Sequence, residues 1–497
     1  MNSFFLSMIA PIIASIEHYP DRAAMFIDHK YYSYQQLGDC ISKIRHHIRC
    51  NNLGHKVIGL VDNADFETYA SILAIWLEGG YYVPLQPDWP HQRCLDVISK
   101  GEIQIIFDTS NKSVYNTACV ENPHCFAPHN DYLQIENDQS DEDLACILFT
   151  SGSTGTPKGV KISRRNLGAA ICSFWKTGID ITVDDRCLQC HDLSFVVSIQ
   201  CIFAPLQKGA CVYAIPSGEI KYAYIIMLLD KYQLTYCQMV VSMLVYILPY
   251  IKKIHHDQIK TFVIHSEPCR IELVEKMKEE LPLTDIIVYY GATETTLHTT
   301  YYRPITDQYL AHNGYLTIGK AIPAVHAIII DESGVVVPTG QKGELCIGGD
   351  MVSSGYWHDD DSSKKSFFYK TINGNCVRFY HTGDWSYQDN NEYLYLCGRM
   401  NNMIKIQGNR VEVSEIEDFA MQYLQNKNVT CISHEREDYL TEIVMFIRSE
   451  PFPVNELIHY LSQHLPVYMV PHTYKFIKEF PLNSNGKIDR IALKHLI

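Results

Sequence analysis

The feature that most constrains the fold is a repeated change between short apolar runs and helix-like segments over roughly the first 350 residues. The run KVIGLVDN at 56–63 precedes the helix-like FETYASILAIWLEGG at 66–80, which leads into YYVPL at 81–85. Further apolar runs of this kind are ACVYAI (210–215), TYCQMVV (235–241), TFVIHS (261–266) and DIIVYYG (285–291). Strands that are apolar throughout and separated by helices are typical of sheets buried on both faces. The pattern therefore predicts α/β layers with largely parallel sheets.

The pattern of predicted strands and helices changes twice after this region. From about Gly334 the strands are shorter and the turns rich in glycine, as in GELCIGGD at 343–350, which predicts a small β-rich subdomain. The last segment contains EVSEIEDFAMQYL, TCISHE and LTEIVMFI, a pattern typical of a compact α+β domain. We therefore predict a large N-terminal core over 1–398 and a small C-terminal domain over 402–497.

Composition excludes several classes of protein. A chain of 497 residues, 46% hydrophobic and 20% charged, is typical of a globular protein with more than one domain. The net charge of −14 argues against nucleic-acid binding. The odd number of scattered cysteines, 17, favours reduced thiols and a cytoplasmic location. Pro11 and Glu17 interrupt the apolar N-terminus, so we expect a first helix of the folded domain rather than an export signal, and no membrane span.

One loop carries the strongest chemical signal. An apolar strand that begins at Leu144 runs into TSGSTGTPKG at 150–159. The glycines allow backbone N–H groups to turn toward an anion, the hydroxyls add donors, and Lys158 supplies a mobile positive charge. Pro157 stands where a Walker A loop needs its second glycine, so the segment predicts a phosphate-binding loop of another kind. The alternative is a polar surface loop.

This loop resembles the signature of the adenylate-forming enzymes, which include acyl-CoA synthetases, luciferases and the adenylation domains of nonribosomal peptide synthetases. Seven further segments resemble motifs of this superfamily in the same order. They are EGGYYVPLQPDWP (78–90), YYGATET (289–295), GELCIGGDMVSSGYW (343–357), YHTGDW (380–385), GRMNNMIKIQGNRVEVSEIE (398–417), LPVYMVP (465–471) and NSNGKIDR (483–490). The segments span almost the whole chain, and the resemblance is closest to stand-alone amino-acid adenylation enzymes such as the D-alanine:D-alanyl carrier protein ligases.

The resemblance implies ATP and Mg²⁺ as cofactors. Attack of a carboxylate on the α-phosphorus spreads negative charge over phosphate oxygens, so positioning and electrostatic stabilisation must supply most of the catalysis. Thr293 would bind the α-phosphate, and Glu294 would be the Mg²⁺ ligand. The β- and γ-phosphates would be held by Lys158 and the loop residues Thr150, Ser151, Gly152, Ser153, Thr154 and Gly155.

The resemblance also assigns residues to the adenosine and to the reacting carboxylate. Tyr290 would stack on adenine, and Asp384, with Arg399 nearby, would accept hydrogen bonds from the ribose hydroxyls. Lys487 resembles the C-terminal lysine that reaches the substrate carboxylate during adenylation. The alternative for Lys487 is a solvated lysine in an Asn-Gly turn. Its flanking match, PLNSNGKIDR, favours the catalytic role.

The segment HDLS at 191–194 indicates an amino-acid substrate. It resembles a motif of the amino-acid-activating members, whose aspartate binds the α-ammonium group; that aspartate is Asp192 here. An acyl- or aryl-CoA ligase has no ammonium to neutralise, and a buried carboxylate without a cationic partner would be costly. The alternative role for Asp192 is a helix N-cap.

The family's substrate pocket, carried across by position, gives nine residues. They are Asp192, Leu193, Val196, Gln238, Phe262, Ile264, Tyr289, Leu297 and His298. The bulk of Ile264 and Tyr289 predicts a small substrate such as glycine, alanine or serine, and Gln238 and His298 are candidates to bind a hydroxyl. D-Alanine is a further candidate, although the D-alanine ligases usually carry Cys at the position assigned to Ile264.

The same resemblance implies a second partner. The chain continues only seven residues past Arg490, so we expect a separate acyl or peptidyl carrier protein to receive the acyl group on its phosphopantetheine thiol. In this family the C-terminal domain rotates about a hinge, here 399–401, and exchanges Lys487 for the loop around Gly408. Asn401 stands where the hinge residue is usually Asp or Lys, and His265 and Ser266 replace a common Gly-Gly pair.

Two alternatives to an amino acid:carrier protein ligase stay open from the sequence. An acyl- or aryl-CoA ligase would keep the same ATP chemistry but give Asp192 no role. A non-catalytic binding protein would keep only the fold. The presence of Lys158, Glu294, Asp384 and Lys487 argues against this second alternative.

Overall fold

The computed structural model describes residues 3–110, 115, 118–129, 140–152, 157–254, 257–306, 308–400, 403–425, 428–482 and 488–497. Its α-helices are α1 (Ala10–His18), α2 (Tyr34–Cys50), α3 (Phe66–Leu77), α4 (His91–Lys100), α5 (Arg164–Trp175), α6 (Val197–Gln207), α7 (Lys221–Tyr232), α8 (Val241–Ile251), α9 (Ile271–Glu280), α10 (Asp360–Ser366), α11 (Val413–Leu424), α12 (Asn455–His464) and α13 (Arg490–Lys494). Shorter helical turns are Phe5–Ile9, Pro123–Cys125, Thr293–Thr295 and Val467–Met469.

The strands follow the apolar runs of the sequence. They are β1 (Ala23–Ile27), β2 (Lys30–Ser33), β3 (Val57–Val61), β4 (Tyr81–Leu85), β5 (Ile105–Phe107), β6 (Cys119–Glu121), β7 (Leu144–Thr150), β8 (Lys158–Ser163), β9 (Arg186–Gln189), β10 (Cys211–Ala214), β11 (Tyr236–Val240), β12 (Thr261–His265), β13 (Asp285–Ala292), β14 (Leu297–Tyr302), β15 (Ala311–His312), β16 (Tyr315–Leu316), β17 (Lys320–Ala321), β18 (His326–Ile330), β19 (Gly343–Gly348), β20 (Phe367–Ile372), β21 (Asn375–Gln388), β22 (Leu394–Arg399), β23 (Met403–Ile406), β24 (Asn409–Glu412), β25 (Val429–Glu435), β26 (Thr441–Arg448) and β27 (Thr473–Ile477).

Two largely parallel sheets form the N-terminal core, as the apolar runs predict. Within the described residues, the larger sheet has nine strands in the order β17-β14-β13-β12-β11-β9-β10-β1-β2. Its six central strands are parallel, while β2, β14 and β17 pair antiparallel at the edges. The second sheet has six strands in the order β6-β5-β3-β4-β7-β8, and only β8 is antiparallel.

Helices fill the space between the two sheets and cover their outer faces. The largest apolar cluster combines residues of both sheets with α2, α3, α5 and α6, and the predicted first helix, α1, packs into it through Ile12 and Ile16. Helices α7, α8 and α9 cover the other face of the nine-stranded sheet, and α4 covers that of the six-stranded sheet. Local sequence supports these helices, since Ser33 and Ser163 form capping boxes at the starts of α2 and α5. The α/β fold class is confirmed.

A β-rich sheet and a C-terminal unit complete the structure. Strands β18-β19-β21-β20, with β22 on β21, form the antiparallel sheet predicted from the glycine-rich segment. Beyond it, the hairpin β23-β24, the sheet β25-β26-β27 and helices α11 and α12 enclose an apolar cluster of their own. All 17 cysteines are free and most are buried, including Cys187 and Cys190, whose Cys-Leu-Gln-Cys spacing places them on and just beyond strand β9. No helix in the described part of the chain is long and apolar enough to cross a bilayer.

Gly319 joins the β-rich sheet to the nine-stranded sheet. Its carbonyl accepts a hydrogen bond from the N–H of Leu394 at 2.9 Å, and Ile318 N–H donates to the Leu394 carbonyl at 3.0 Å. The backbone of Gly319 is left-handed, with φ +84°, and a Cβ there would lie 1.8 Å from the Tyr301 carbonyl oxygen. Only glycine fits this approach. Gly334 has a similar φ of +81°, but a Cβ would meet nothing within 4 Å.

We predict that Gly319→Ala destabilises the protein far more than Gly334→Ala. The left-handed backbone alone should cost Gly334→Ala about 1–2 kcal/mol. At Gly319 the same strain is joined by a backbone clash that neighbouring strands must move to relieve, so the loss of unfolding free energy should be at least about twice as large. Urea unfolding of the two variants tests this, and equal losses would contradict it.

Candidate functional site

A cleft lies where the central strands of the nine-stranded sheet end. Open parallel sheets bind ligands at the carboxyl ends of their strands, and β12 and β13 contribute His265 and Ala292 from those ends. The C-terminal hairpin β23-β24 closes the opposite side. The residues that line the cleft are Trp89, Arg93, Phe149, Thr150, Ser151, Ser194, Phe195, Val196, Val197, His265, Ser266, Tyr290, Gly291, Ala292, Thr293, Glu294, Leu297, His298, Tyr380, Thr382, Asp384, Arg399, Met403, Lys405, Gly408, Asn409, Arg410 and Tyr468.

The structure brings most of the predicted nucleotide residues into this one cleft. Thr150, Ser151, Tyr290, Thr293, Glu294, Asp384 and Arg399 all line it. The predicted phosphate loop connects two antiparallel strands, β7 and β8, and Lys158 begins the second. Lys158 does not line the cleft: its Nζ donates to the Ser362 hydroxyl at 2.9 Å and lies 5.5 Å above the Tyr356 ring. Ser153, Thr154 and Gly155 lie outside the described residues, as do Asn401 and Lys487.

Glu294 is the most deeply buried charge of the cleft, with 1% of its side chain exposed. Its Oε1 accepts from Arg410 Nη1 at 2.6 Å and from the Tyr356 hydroxyl at 2.9 Å. Burial opposes ionisation, but the Arg410 charge and further hydrogen bonds hold the pKa of Glu294 below its usual range. Its second oxygen, Oε2, is buried and has no hydrogen-bond partner among the described residues. An ionised carboxylate with one unsatisfied oxygen fits a Mg²⁺ ligand.

The residues predicted to bind adenosine form a hydrogen-bonded set. The Tyr290 hydroxyl donates to Asp384 Oδ2 at 2.6 Å, and Arg399 Nε lies 3.0 Å from Asp384 Oδ1. Two side chains therefore fix the position of Asp384, whose own side chain is 5% exposed. A carboxylate held in this way is preorganised to accept hydrogen bonds from a diol.

The C-terminal unit reaches into the cleft through β24 and the turn before it. The Gly408 N–H donates to Glu267 Oε1 at 2.8 Å, in a left-handed conformation with φ +77° and with Val240 where a Cβ would stand. Ser151 Oγ donates to the Arg410 carbonyl at 2.7 Å. Together with the ion pair between Arg410 and Glu294, these bonds fasten the hairpin over the phosphate end of the cleft.

Two further residues of the C-terminal unit support this docking. Glu415, on α11, pairs with Arg93 of α4 at 2.8 Å, and both side chains are buried. Lys405, on β23, lies 5.9 Å from the Tyr290 ring centre, and burial with the neighbouring charge of Arg399 lowers its pKa to about 8. The sequence motif located the Gly408 turn but gave no role to Lys405, Arg410 or Glu415, because their partners lie far away in the chain.

The predicted substrate residues divide into two groups. Val196, Leu297 and His298 line the cleft, and Tyr289 stacks directly behind His298 at 4.4 Å between ring centres. Phe262 and Ile264 instead belong to the apolar cluster under α7, α8 and α9, on the opposite face of the sheet. Successive side chains of a strand point to opposite faces, so the cleft-facing residue at the end of β12 is His265. The argument from the bulk of Ile264 therefore does not apply.

Gln238 is also unavailable to a substrate. It is fully buried, and its Oε1 accepts from Gln200 Nε2 and from the Tyr236 hydroxyl. Its Nε2 lies 3.0 Å from His298 Nε2, which assigns the donor to Gln238 and leaves the ring proton of a neutral His298 on Nδ1. Gln238 thus orients a residue of the cleft without lining it.

Three histidines meet at the floor of the cleft. The ring centre of His265 lies 4.9 Å from that of His191 and 5.2 Å from that of His298. Burial, followed by nearby positive charge from Lys221 or the other rings, lowers the pKa of all three, that of His191 to about 4 and that of His298 to about 3. His265 Nδ1 bonds to the Ser266 hydroxyl at 2.8 Å, while its Nε2 is buried without a partner in the described part of the chain. The cleft floor therefore offers neutral hydrogen-bonding groups.

Asp192 lies in a cluster of charges beside the cleft and does not line it. Its Oδ1 pairs with Lys221 Nζ at 2.5 Å, with about 40% of each side chain exposed. Helix α6 starts at Val197 with Val196 as its N-cap, so Asp192 is not a cap. Leu193, also predicted to line the pocket, is buried and donates its N–H to Asp62 Oδ2 at 2.6 Å. No pattern in the sequence indicates Lys221, which lies 29 residues away from Asp192.

Asp62 is the second carboxylate of this cluster. It is buried and accepts from Gln86 Nε2 at 2.9 Å as well as from Leu193. Burial, followed by repulsion from Asp192, raises its pKa to about 6. Gln86 Nε2 also lies 3.4 Å from the hydroxyl of Ser194, a cleft residue, so Asp62 is joined to the cleft wall by one side chain. Two carboxylates and one ammonium leave an excess of negative charge here at neutral pH.

Comparison with known proteins identifies the family of this chain. The sequence profile of the AMP-binding enzymes matches residues 13–357. The chain belongs to the AMP-binding enzyme family. It is adenylate-forming, like the family as a whole, and the family's members use ATP and Mg²⁺.

The chain is similar to several known proteins in sequence or in structure. Tyrocidine synthase 1 of Brevibacillus parabrevis is 27% identical over 96% of this chain, which spans 44% of that protein's length. The adenylation and PCP protein PA1221 superposes with a TM-score of 0.85 at 20% identity, over 99% of this chain and 84% of that one. The adenylation domain AlmE of Vibrio cholerae, solved with glycyl-adenosine-5'-phosphate, superposes with a TM-score of 0.84 at 22% sequence identity. The superposition covers 98% of this chain and 96% of AlmE. The o-succinylbenzoate CoA synthetase of Bacillus subtilis superposes with a TM-score of 0.82 at 19% sequence identity, over 98% of each chain.

We predict that Asp62→Asn changes the pH dependence of stability. Because the pKa of Asp62 is raised to about 6 in the folded protein, its contribution is fully present below pH about 4 and is lost as pH rises through 6. The loss corresponds to about 3 kcal/mol, and Asn retains an oxygen that can accept from Leu193 and Gln86. Relative to wild type, the variant should gain that amount between pH about 4 and about 7.

Urea unfolding of both proteins across this pH range measures the difference. Asp184→Asn, at a carboxylate that is 78% exposed, is the matched control and should give a curve parallel to that of the wild type. A constant difference between wild type and Asp62→Asn over the whole range would contradict the assignment.

Proposed function

We propose that this AMP-binding enzyme activates a small amino acid as its aminoacyl adenylate, with release of pyrophosphate, and then transfers it to the phosphopantetheine thiol of a carrier protein. The observation that carries the proposal is the docking of the C-terminal hairpin on the cleft through Arg410 and Glu294. ATP would lie along the cleft, with adenine at Tyr290, ribose at Asp384 and Arg399, and phosphates at Thr150, Ser151 and Thr293. Lys158, which is bonded to Ser362 in this structure, would leave that partner to reach the phosphates. Mg²⁺ would be held by Glu294.

The docked hairpin supports a second reaction that follows adenylate formation. Glu294 Oε1 forms an ion pair with Arg410, and no other cation of the described residues lies within ion-pair distance of Glu294. We infer that the C-terminal unit stands here in the arrangement for thioester formation, and that Asn401 serves as the hinge for a rotation that would bring Lys487 to the cleft for adenylation. The predicted boundaries, a core over 1–398 and a C-terminal domain over 402–497, are part of this proposal.

A carrier arm has a route to the adenylate. Besides the nucleotide residues, the cleft is lined by Trp89, Arg93 and Tyr468, which meet where α4 faces the C-terminal unit. A thiol entering between the two parts of the chain would approach the acyl carbon from the side opposite the phosphates. PA1221, which superposes over nearly the whole chain, contains adenylation and PCP domains. We therefore propose a carrier protein as the acceptor.

The charges around Asp192 support an amino acid as the substrate. Asp62 and Asp192 carry one negative charge more than Lys221 neutralises when both are ionised. An α-ammonium beside Asp192 would balance the cluster and would favour ionisation of Asp62. A fatty or aryl acid brings no such charge. Asp192 would thus be shared between Lys221 and the substrate.

The histidine floor supports a small substrate with a hydroxyl group. Tyr289, His298 and His265 occupy the volume that a long side chain would need. The unpartnered Nε2 of His265 and the Nδ1–H of His298 offer hydrogen bonds to a neutral group, since the depressed pKa of each ring opposes a charge on it. A buried polar atom left unsatisfied is costly, so a substrate hydroxyl would be favoured over a methyl group. Serine fits this description better than glycine or alanine.

We predict that Asp192→Asn raises KM for the amino acid by about 10- to 100-fold, because a hydrogen-bonded charge contact is worth about 1.5–3 kcal/mol. KM for ATP should stay within a factor of about two, since Asp192 does not line the nucleotide part of the cleft. Amino-acid-dependent ATP–pyrophosphate exchange measures both constants, with Asp184→Asn as a control. An unchanged KM for the amino acid in Asp192→Asn would contradict this role of Asp192, and exchange supported in wild type only by fatty or aromatic acids would favour the acyl- or aryl-CoA ligase instead.

We predict that wild type prefers serine to alanine by about fivefold in kcat/KM and that His265→Leu removes this preference, because one neutral hydrogen bond contributes about 1 kcal/mol. Exchange with alanine should survive in His265→Leu. The half-buried His312, which does not line the cleft, provides a control as His312→Gln. A His265→Leu enzyme that still prefers serine would contradict this role for His265 and leave the amino-acid assignment intact.

A further inference from the structure

Three metal-binding side chains converge on one face of the β-rich sheet. Glu344 and Cys346 are two residues apart on β19, so both project from the same face. His381, on β21, is the direct cross-strand partner of Cys346 in the antiparallel register. One ligand atom from each residue can be chosen so that all three lie within 4.8 Å of one another. None of the three lines the nucleotide cleft.

The distances between these atoms approach those of a tetrahedral zinc site. His381 Nδ1 lies 3.6 Å from Cys346 Sγ and 2.8 Å from Glu344 Oε2. Zn–S and Zn–N or Zn–O bonds of about 2.3 and 2.0–2.1 Å place the sulfur and nitrogen about 3.5 Å apart, and the nitrogen and oxygen about 3.3 Å apart. The observed distance between His381 Nδ1 and Cys346 Sγ already matches this geometry. The distance between His381 Nδ1 and Glu344 Oε2 would match it after the Glu344 carboxylate moved by about half an ångström.

The surroundings favour a bound cation over three independent side chains. Cys346 is fully buried, while His381 and Glu344 are 32% and 15% exposed, so a metal ion could enter from the His381 side and keep one position for water. The Phe368 ring lies 4.5 Å from the His381 ring and restricts its orientation. Glu344 Oε1 is held by the Gly383 N–H at 3.0 Å, which leaves Oε2 for the metal. Second contacts of this kind orient metal ligands.

We propose that Glu344, Cys346 and His381 form a binding site for a Zn²⁺-class divalent cation. On binding, the thiol of Cys346 loses its proton to solvent, and the metal is held by one sulfur, one nitrogen and one carboxylate oxygen with water as a fourth ligand. Burial raises the pKa of the Cys346 thiol in the absence of a cation, so the free thiol is not a nucleophile. Because Glu344 also binds Gly383, the site is connected to the backbone next to Asp384.

Cobalt substitution tests the site directly. The full-length chain, stripped of metals with a chelator, is titrated with Co²⁺ while the thiolate-to-cobalt charge-transfer band is recorded. Only a cysteine ligand gives this band, so Co²⁺ bound at Glu294 does not interfere. We expect one equivalent of Co²⁺, displaced by Zn²⁺. Cys346→Ser should abolish the band, whereas Cys376→Ser, at an exposed cysteine on the same β21 strand as His381, should retain it.

A second variant keeps the test independent of folding defects at Cys346. His381→Arg removes the nitrogen ligand but can still form an ion pair with Glu344, so the sheet should remain folded. We expect its Co²⁺ affinity to fall by more than about 100-fold, beyond the 10- to 100-fold typical of losing an outer contact. His326→Gln, in the same sheet, is the control. The absence of a charge-transfer band in wild type, or its persistence in Cys346→Ser, would overturn the proposal and leave a simple ion pair between His381 and Glu344.

Discussion

The ion pair between Arg410 and Glu294 connects the C-terminal hairpin to the core at the cleft where we propose that the reaction takes place. Glu294 is almost completely buried and ionised, and an ionised carboxylate in such a place needs a cation. In the state described here the cation is the guanidinium of the C-terminal hairpin. During adenylation a metal ion bound with the phosphates would be the cation that neutralises Glu294. The need to neutralise one buried carboxylate therefore links the position of the C-terminal unit to the contents of the cleft.

The same principle separates the two ends of the cleft. On the side of the cleft proposed for ATP, Arg410, Lys405 and Arg399 concentrate positive charge. At the proposed acyl end, burial opposes a charge on His265 and His298, and Asp62, Asp192 and Lys221 form a charged cluster beside the cleft. A substrate with an ammonium group and a short polar side chain suits that end. An uncharged acyl chain would leave the carboxylate excess unbalanced and the His265 nitrogen unsatisfied.

The sequence predicted the architecture well because the signal was local. Runs such as 56–63 and 261–266 are apolar throughout, and strands of this kind occur in parallel sheets buried on both faces. This property also limited the prediction of the pocket. Where both faces of a strand are buried, the sequence does not show which residue faces the cleft, so Ile264 was assigned instead of His265. Motifs located the nucleotide residues because glycines and charges mark them. The partners of Asp192 and Glu294, namely Lys221 and Arg410, come from distant segments and required the fold.

The most direct test of this account separates the two half-reactions in Arg410→Ala. Amino-acid-dependent ATP–pyrophosphate exchange and single-turnover transfer of the acyl group to free pantetheine are measured in parallel, with Arg436→Ala at an exposed ion pair as the control. The account predicts that exchange stays within about threefold of wild type while transfer falls by at least about tenfold, the size of a lost charged contact. Equal losses in both reactions, or a loss of exchange alone, would contradict the assignment of the docked hairpin to thioester formation.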